Sequence, residues 1–286
     1  MNRNGLLFFS LAGIICPASA QIPILNPNGP VAEGQYELLI SAVLIMLIVV
    51  VPVFILTICF AWRYRASNRA SRFRPDWSYS LPIELVIWLV PALIVLVIGF
   101  LQWTRTHSLD PYKALGRNPL EIQVIALDWK WLFIYPDADI ATVNELVLPV
   151  DVPVRFLITS DTVMNAFFIP GLGSQIFAMA GMRTELNLKA TKPASLWGRN
   201  TQFSGRGFSS QHFNVKVVEE SEFQDWQGSV QEGSPPLTNV RYRQLALPSS
   251  GSTRHQYHQV QPGLFGQVIS RYQQEVVVPQ SREGQP

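Results

Sequence analysis

The stretch Leu120–Tyr135, LEIQVIALDWKWLFIY, decides how this 286-residue chain is read. Upstream of it, apolar residues come in long unbroken runs; from Leu120 they alternate with polar ones such as Glu121, Gln123 and Lys130. A period of two marks strands with one face buried. The stretch therefore predicts two strands, Leu120–Ala126 and Trp129–Tyr135. Similar segments follow at Glu145–Val150, Val154–Thr159, Asn165–Ile169, Thr184–Ala190 and Phe213–Val218. Asp137-Ala138-Asp139, Asp151, Pro170-Gly171 and Lys192-Pro193 punctuate them as turns. That many short strands over about 100 residues favours a β-sandwich or Greek-key barrel, here covering residues 120–218.

Working outward towards the amino terminus, residues 104–119 read as a linker preceded by two apolar spans. Leu38–Trp62 is uncharged, and Leu81–Trp103 carries the single acid Glu84. At ~1.5 Å per residue either one crosses a ~30 Å hydrocarbon core. Pro52 and Pro91 within them are tolerable where neighbouring helices satisfy the freed carbonyls. The connector, residues 63–80, holds Arg63, Arg65, Arg69, Arg72 and Arg74 against Asp76 alone, while Gln21–Glu37 has no Lys or Arg. The positive-inside rule places such a connector in the cytoplasm, and the β domain and both termini outside. Residues 1–20 read as a secretory signal: Arg3, the apolar Leu6–Ile15, then Ala18-Ser19-Ala20. Cys16 offers a competing lipidation site, although the preceding Gly13-Ile14-Ile15 fits that processing poorly.

Towards the carboxyl terminus, residues 219–286 turn polar and form an arm and tail. Ser221–Val230 places Phe223, Trp226 and Val230 on one helical face, and Pro262–Tyr272 does so with Phe265, Val268, Ile269 and Tyr272. The arm is expected to pack on the domain or on a partner, with Pro279–Pro286 too polar to order.

Composition narrows the chemistry. A net charge of +2 and 15% charged residues show no nucleic-acid surface, and 48% apolar residues agree with membrane spans. Both cysteines, Cys16 and Cys59, lie in apolar stretches, and the four histidines (His107, His212, His255, His258) are scattered. No nucleophile–base constellation, phosphate loop or carboxylate pair stands out, and Ser209-Ser210-Gln211-His212 is too local for a triad. Met164, Met179 and Met182 are more ordinary as gap-filling side chains than as copper ligands.

Two spans followed by a β-sandwich resemble subunit II of the haem–copper respiratory oxidases. Asp128-Trp129-Lys130-Trp131, Thr159–Met182 and Phe203–Val218 carry the likeness. In the branch fed by cytochrome c, that subunit is a cupredoxin whose dinuclear copper is held by histidines, cysteines and a methionine, with one backbone carbonyl. Those positions fall here on Asn165, Phe203, Gly207, Gln211 and Asn214, with Gly205 at the carbonyl. A soft metal site needs thiolate or imidazole, and none remains. His212 is one place off, and a one-residue shift on an extended segment turns a side chain to the other face.

The run Val163–Pro170 with Gly173-Ser174-Gln175-Ile176, Met179-Ala180-Gly181-Met182 and Phe203–Ser209 resembles instead the quinol-oxidising branch of cytochrome bo type. The resemblance implies a bacterial inner-membrane subunit of a proton-translocating, oxygen-reducing ubiquinol oxidase. The implied architecture is a two-helix hairpin, a cupredoxin-like Greek-key sandwich and a short helical arm. This chain would bind no cofactor. Two haems, one copper and quinol would belong to subunit I, alongside subunits III and IV. It also implies that Glu84 lies at the mouth of a proton path in subunit I. The residues allow a plainer role, since after Pro82 a carboxylate suits the first turn of a helix. Without copper, the aromatics Trp129, Trp131, Phe133 and Tyr135 are expected to pack against subunit I, with Lys130 facing solvent or a partner carboxylate. The competing readings are a membrane-anchored copper-binding electron carrier, which the missing ligands disfavour, and an anchored binding module.

Overall fold

The computed structural model describes residues 23–68, 78–249 and 254–275. The expected signal segment with Cys16, residues 69–77 of the arginine connector and the tail 279–286 lie outside them.

Helices α1 (Pro30–Arg63) and α2 (Leu81–Ser108) form the hairpin, each holding an 18-residue window of mean hydropathy 3.2 and 2.7 with none of it buried. Both outrun their apolar cores. In α1 the extra turns dock on the sandwich, where Val31 and Ala32 are buried and Asn28 N–H donates to the Gly171 carbonyl at 2.8 Å. Gly29 caps this helix against the Lys189 carbonyl, which a Cβ would approach to 2.2 Å. In α2 the helix runs five residues into the expected linker. There, the Thr104 and Ser108 hydroxyls bond backbone carbonyls one turn back, and Arg105 pairs with Glu37 of α1 at 3.3 Å.

The sandwich is built from β1 (Leu120–Leu127), β2 (Lys130–Tyr135), β3 (Ile140–Val143), β4 (Glu145–Pro149), β5 (Pro153–Ser160), β6 (Asn165–Phe168), β7 (Gln175–Ala178), β8 (Thr184–Lys189), β9 (Ala194–Asn200), β10 (His212–Val218) and β11 (His255–His258). One sheet runs β11-β3-β2-β1-β5-β8 and the other β4-β10-β9-β6-β7, with β1 parallel to β5 and β10 parallel to β4. This is the expected Greek-key sandwich with four strands added. Of these, β3, β7 and β11 are four residues long. Strand β9 is obscured by Gly198, which strand statistics disfavour. Gly198 is required there because a Cβ would sit 2.1 Å from the Phe213 ring.

Between the sheets, Trp131, Phe133, Phe156, Phe167 and Phe213 are essentially sealed from solvent. Phe167 stacks on Phe213 with ring centroids 5.3 Å apart, and Trp131 meets both edge-on. Trp131, Phe133 and Tyr135 thus pack inward, not against a partner as expected, because their alternation points them between the sheets. Trp129 is not in a strand. It lies in the two-residue connection between Leu127 and Lys130 with φ of 61°, a conformation tight hairpins demand.

Helices α3 (Glu220–Gly233), α4 (Asn239–Ala246) and α5 (Leu264–Glu275) form the arm; only α4 was not anticipated. The arm folds back on the six-stranded sheet, burying Leu237, Tyr242, Leu264, Phe265 and Val268 against Ile125, Leu127, Leu132, Ile134 and Leu157. Both faces of β2 are therefore covered. Lys130, expected to face solvent or a partner carboxylate, is 6% exposed. Its ammonium donates to the Leu245 and Leu247 carbonyls and to Ser249 Oγ at 2.6, 2.8 and 2.8 Å, capping the end of α4. Burial lowers its pKa, partly offset by Asp128.

Candidate functional site

The strands bring Asn165, at the start of β6, and Gln211, just before β10, side by side at the end of the sandwich away from the helical hairpin's attachment at Gly171–Ser174. Both are buried, Asn165 at 0% and Gln211 at 1% exposure. Gln211 Nε2 donates to Asn165 Oδ1 at 3.0 Å. Asn200, from the end of β9, joins them, its Nδ2 reaching Asn165 Oδ1 at 2.7 Å, Gln211 Oε1 at 2.9 Å and Ser204 Oγ at 3.1 Å. Ser204 Oγ donates in turn to Gln211 Oε1 at 2.8 Å. Asn165 Nδ2 donates outward to the Val163 carbonyl (2.8 Å) and Ser160 Oγ (3.3 Å). Asn200 Oδ1 accepts from the Ala166 and Gln202 amides at 2.8 and 2.9 Å.

The loop between β9 and β10 wraps this cluster. Gly205 has φ of +104°, a backbone shape that suits glycine. Gly207 lies flat under the Trp129 indole, which a Cβ would meet at 2.2 Å. The indole Nε1 donates to the Ser204 carbonyl at 3.1 Å. Phe203 is 73% exposed at the loop tip. Asn214 pairs in register with Glu145 and Trp197, and its amide oxygen, turned to suit its neighbours, accepts from Arg254 Nε at 3.1 Å. His212 is exposed while Gln211 is buried, as strand alternation requires.

Of the six positions that the resemblance sets against copper ligands, only Asn165 and Gln211 hydrogen-bond to each other through their side chains. Their oxygens each accept two hydrogen bonds, so no lone pair is turned to a metal. Amide oxygens are in any case hard donors, whereas copper electron-transfer sites take sulfur and imidazole nitrogen. Among the described residues no three His, Cys, Asp or Glu side chains gather into a metal-binding group. These residues do not fit copper. Met164 and Met182 are 40% and 52% exposed, and Met179 is half-buried.

Asn200 and Ser204 complete the cluster, yet nothing in their local sequence marks them. Their role needs the fold. The same holds for Asp161, whose carboxylate is 2% exposed and held by Tyr242 OH at 2.6 Å and Arg271 at 2.8 Å. Burial, then the Asp161 charge, pushes the Tyr242 phenol well above its ordinary value, so it stays a donor. Glu84 lies in the first turn of α2, exposed, its N–H bonded to the Ser80 carbonyl at 3.0 Å.

Residues 100–218 match the family described as cytochrome c oxidase subunit II, periplasmic domain. The chain is 45% identical over 270 residues to the cytochrome bo(3) ubiquinol oxidase subunit 2 of Pseudomonas aeruginosa, covering 94% of this chain and 82% of that protein. It is 44% identical over 275 residues to the ubiquinol oxidase subunit 2 of Acetobacter aceti, covering 95% and 89%. Among solved structures, the periplasmic domain of subunit II of the Bradyrhizobium japonicum cytochrome oxidase aligns at 27% identity and a TM-score of 0.38, covering 42% of this chain and 95% of that one. The chain therefore belongs to the ubiquinol oxidase subunit 2 family, and its residues 100–218 carry a cytochrome c oxidase subunit II domain.

Proposed function

We propose that this chain is the non-redox subunit II of a bacterial ubiquinol oxidase, a scaffold that lends no metal to electron flow. The observation that supports this reading is the closed amide cluster of Asn165, Asn200, Gln211 and Ser204, standing where a copper-bearing relative needs soft donors. Quinol is membrane-soluble and can deliver electrons within the bilayer, so an electron acceptor on the water side is dispensable. In this reading the two haems, the copper and the quinol site belong to subunit I, and subunits III and IV complete the assembly. The arginines between the spans favour a cytoplasmic connector, with sandwich and arm on the periplasmic side of the inner membrane. Glu84 then lies near the cytoplasmic surface, where a carboxylate can relay protons towards subunit I as well as favour the start of α2.

The test is purification in mild detergent, followed by haem spectroscopy, quinol-dependent oxygen uptake and electron paramagnetic resonance of the intact complex. The chain is expected to migrate with a haem-bearing partner, without a mixed-valence copper–thiolate signal. Copper that stays with this chain on dissociation of the complex, and changes valence during turnover, would restore the electron-carrier alternative.

A further inference from the structure

The polar anchors at one end of the carboxyl-terminal arm land on the segments that frame the amide cluster. Lys130, which caps α4, directly follows Trp129, the ring that lies on Gly207. Asp161 opens the loop that leads into Asn165. Its carboxylate takes Tyr242 of α4 and Arg271 of α5, while its carbonyl accepts from Tyr272 OH at 2.7 Å and its N–H donates to the Ala126 carbonyl at 2.9 Å. Gln273 Nε2 reaches the Gly181 carbonyl at 3.0 Å. From Asp161 the path crosses one peptide bond to Thr162, whose side chain and N–H carry it on by hydrogen bonds. Thr162 Oγ1 donates to Asp128 Oδ1 at 2.5 Å, and Thr162 N–H to Ser160 Oγ at 3.2 Å. Ser160 Oγ accepts from Asn165 Nδ2, and Asn165 Oδ1 accepts from Gln211 and Asn200.

We infer that Asp161 is a positioning residue through which the arm holds the two loops, residues 160–165 and 200–212, in register. The arm then takes over the mechanical task that a bridging metal performs in a copper-bearing subunit, and this inference rests on the non-redox reading. The physical reason is the cost of a buried carboxylate. Asp161 stays buried only while Arg271 and Tyr242 are in place, because an unpaired charge there is strongly disfavoured. Docking of α4 and α5 and the conformation of the 160–165 loop are therefore one equilibrium. The loop in turn presents Ser160 and Asn165 to the cluster. Gln231, whose Nε2 bonds the Ala138 carbonyl at 2.7 Å at the other end of the sheet, anchors the arm without touching this path.

The test is hydrogen–deuterium exchange on the intact, detergent-purified complex carrying Asp161→Asn, Tyr242→Phe or, as a control, Gln231→Ala. Asp161→Asn is expected to raise exchange roughly tenfold in peptides covering 160–166 and 200–212, since a charge-assisted hydrogen bond is worth about that factor. Tyr242→Phe, which deletes one hydroxyl and keeps the carboxylate paired with Arg271, should give a smaller rise in the same peptides; it serves where Asp161→Asn does not assemble. Gln231→Ala should raise exchange near Ala138 only. The inference is overturned if the Asp161 or Tyr242 variants loosen residues 239–272 and leave 200–212 as in the wild type, or if Gln231→Ala loosens 200–212 equally. Copper analysis of the same samples reports separately on the non-redox reading.

Discussion

Replacing Asn200 by alanine isolates what the amide cluster contributes. The side chain is 3% exposed and joins β6, β9 and the loop before β10. Its removal leaves Asn165 Oδ1 with Gln211, and Gln211 Oε1 with Ser204, so neither oxygen is orphaned. The Ala166 N–H is orphaned, because Asn200 Oδ1 at 2.8 Å is its acceptor and Ala166 is fully buried. A buried donor without an acceptor costs about 1–3 kcal/mol, and the small cavity adds on the order of 1 kcal/mol. At a urea slope of about 2 kcal/mol per molar, an assumed loss of ~2–3 kcal/mol lowers the unfolding midpoint by roughly 1 M. Asn200→Asp discriminates further. It is isosteric, yet it turns an oxygen towards Asn165 Oδ1 and Gln211 Oε1, so it should destabilise at least as much as alanine at neutral pH. It should recover in acid, where the carboxyl can donate. Urea titration of the detergent-purified chain, followed by tryptophan fluorescence, measures both. An aspartate variant near wild type with a weak alanine variant would mean that volume, not hydrogen bonding, holds this site, and the reasoning would fail.

Gly207→Ala should cost about 1–3 kcal/mol by overpacking: its φ of −92° accepts alanine, but the Cβ would lie 2.2 Å from Trp129, so the indole must leave. A red-shifted emission and a lowered melting temperature check this; unchanged values would contradict the stacked geometry. Burial holds the Tyr135 and Tyr242 phenols well above the ordinary value of 10.0, with the Asp161 charge adding at Tyr242. The unfolded chain ionises near pH 10 while the folded chain keeps these protons, so stability is intact below that pH and declines above it. Ultraviolet titration should show these tyrosines ionising only as the fold is lost, and reversible ionisation near pH 10 in folded protein would contradict it. Glu84→Ala should slow turnover or proton uptake while the complex still assembles; unchanged turnover would leave Glu84 only its part in starting α2.

The hairpin and the strand pattern were legible in the sequence because each is local. An apolar run long enough for a bilayer and a period of two can both be read from near neighbours. His212 pointing outward followed from alternation alone. The destinations of Lys130, Trp131 and Asp161 were not legible. Lys130 meets carbonyls 115 and 117 residues away, and Asp161 meets an arginine 110 residues away. Alternation told that Lys130 and Trp131 face opposite sides of β2, but not that the arm would return to cover the outer side. The amide cluster, too, exists only once β6, β9 and the loop before β10 converge, since hydrogen bonds between side chains 35 and 46 residues apart are a property of packing and leave no periodic trace.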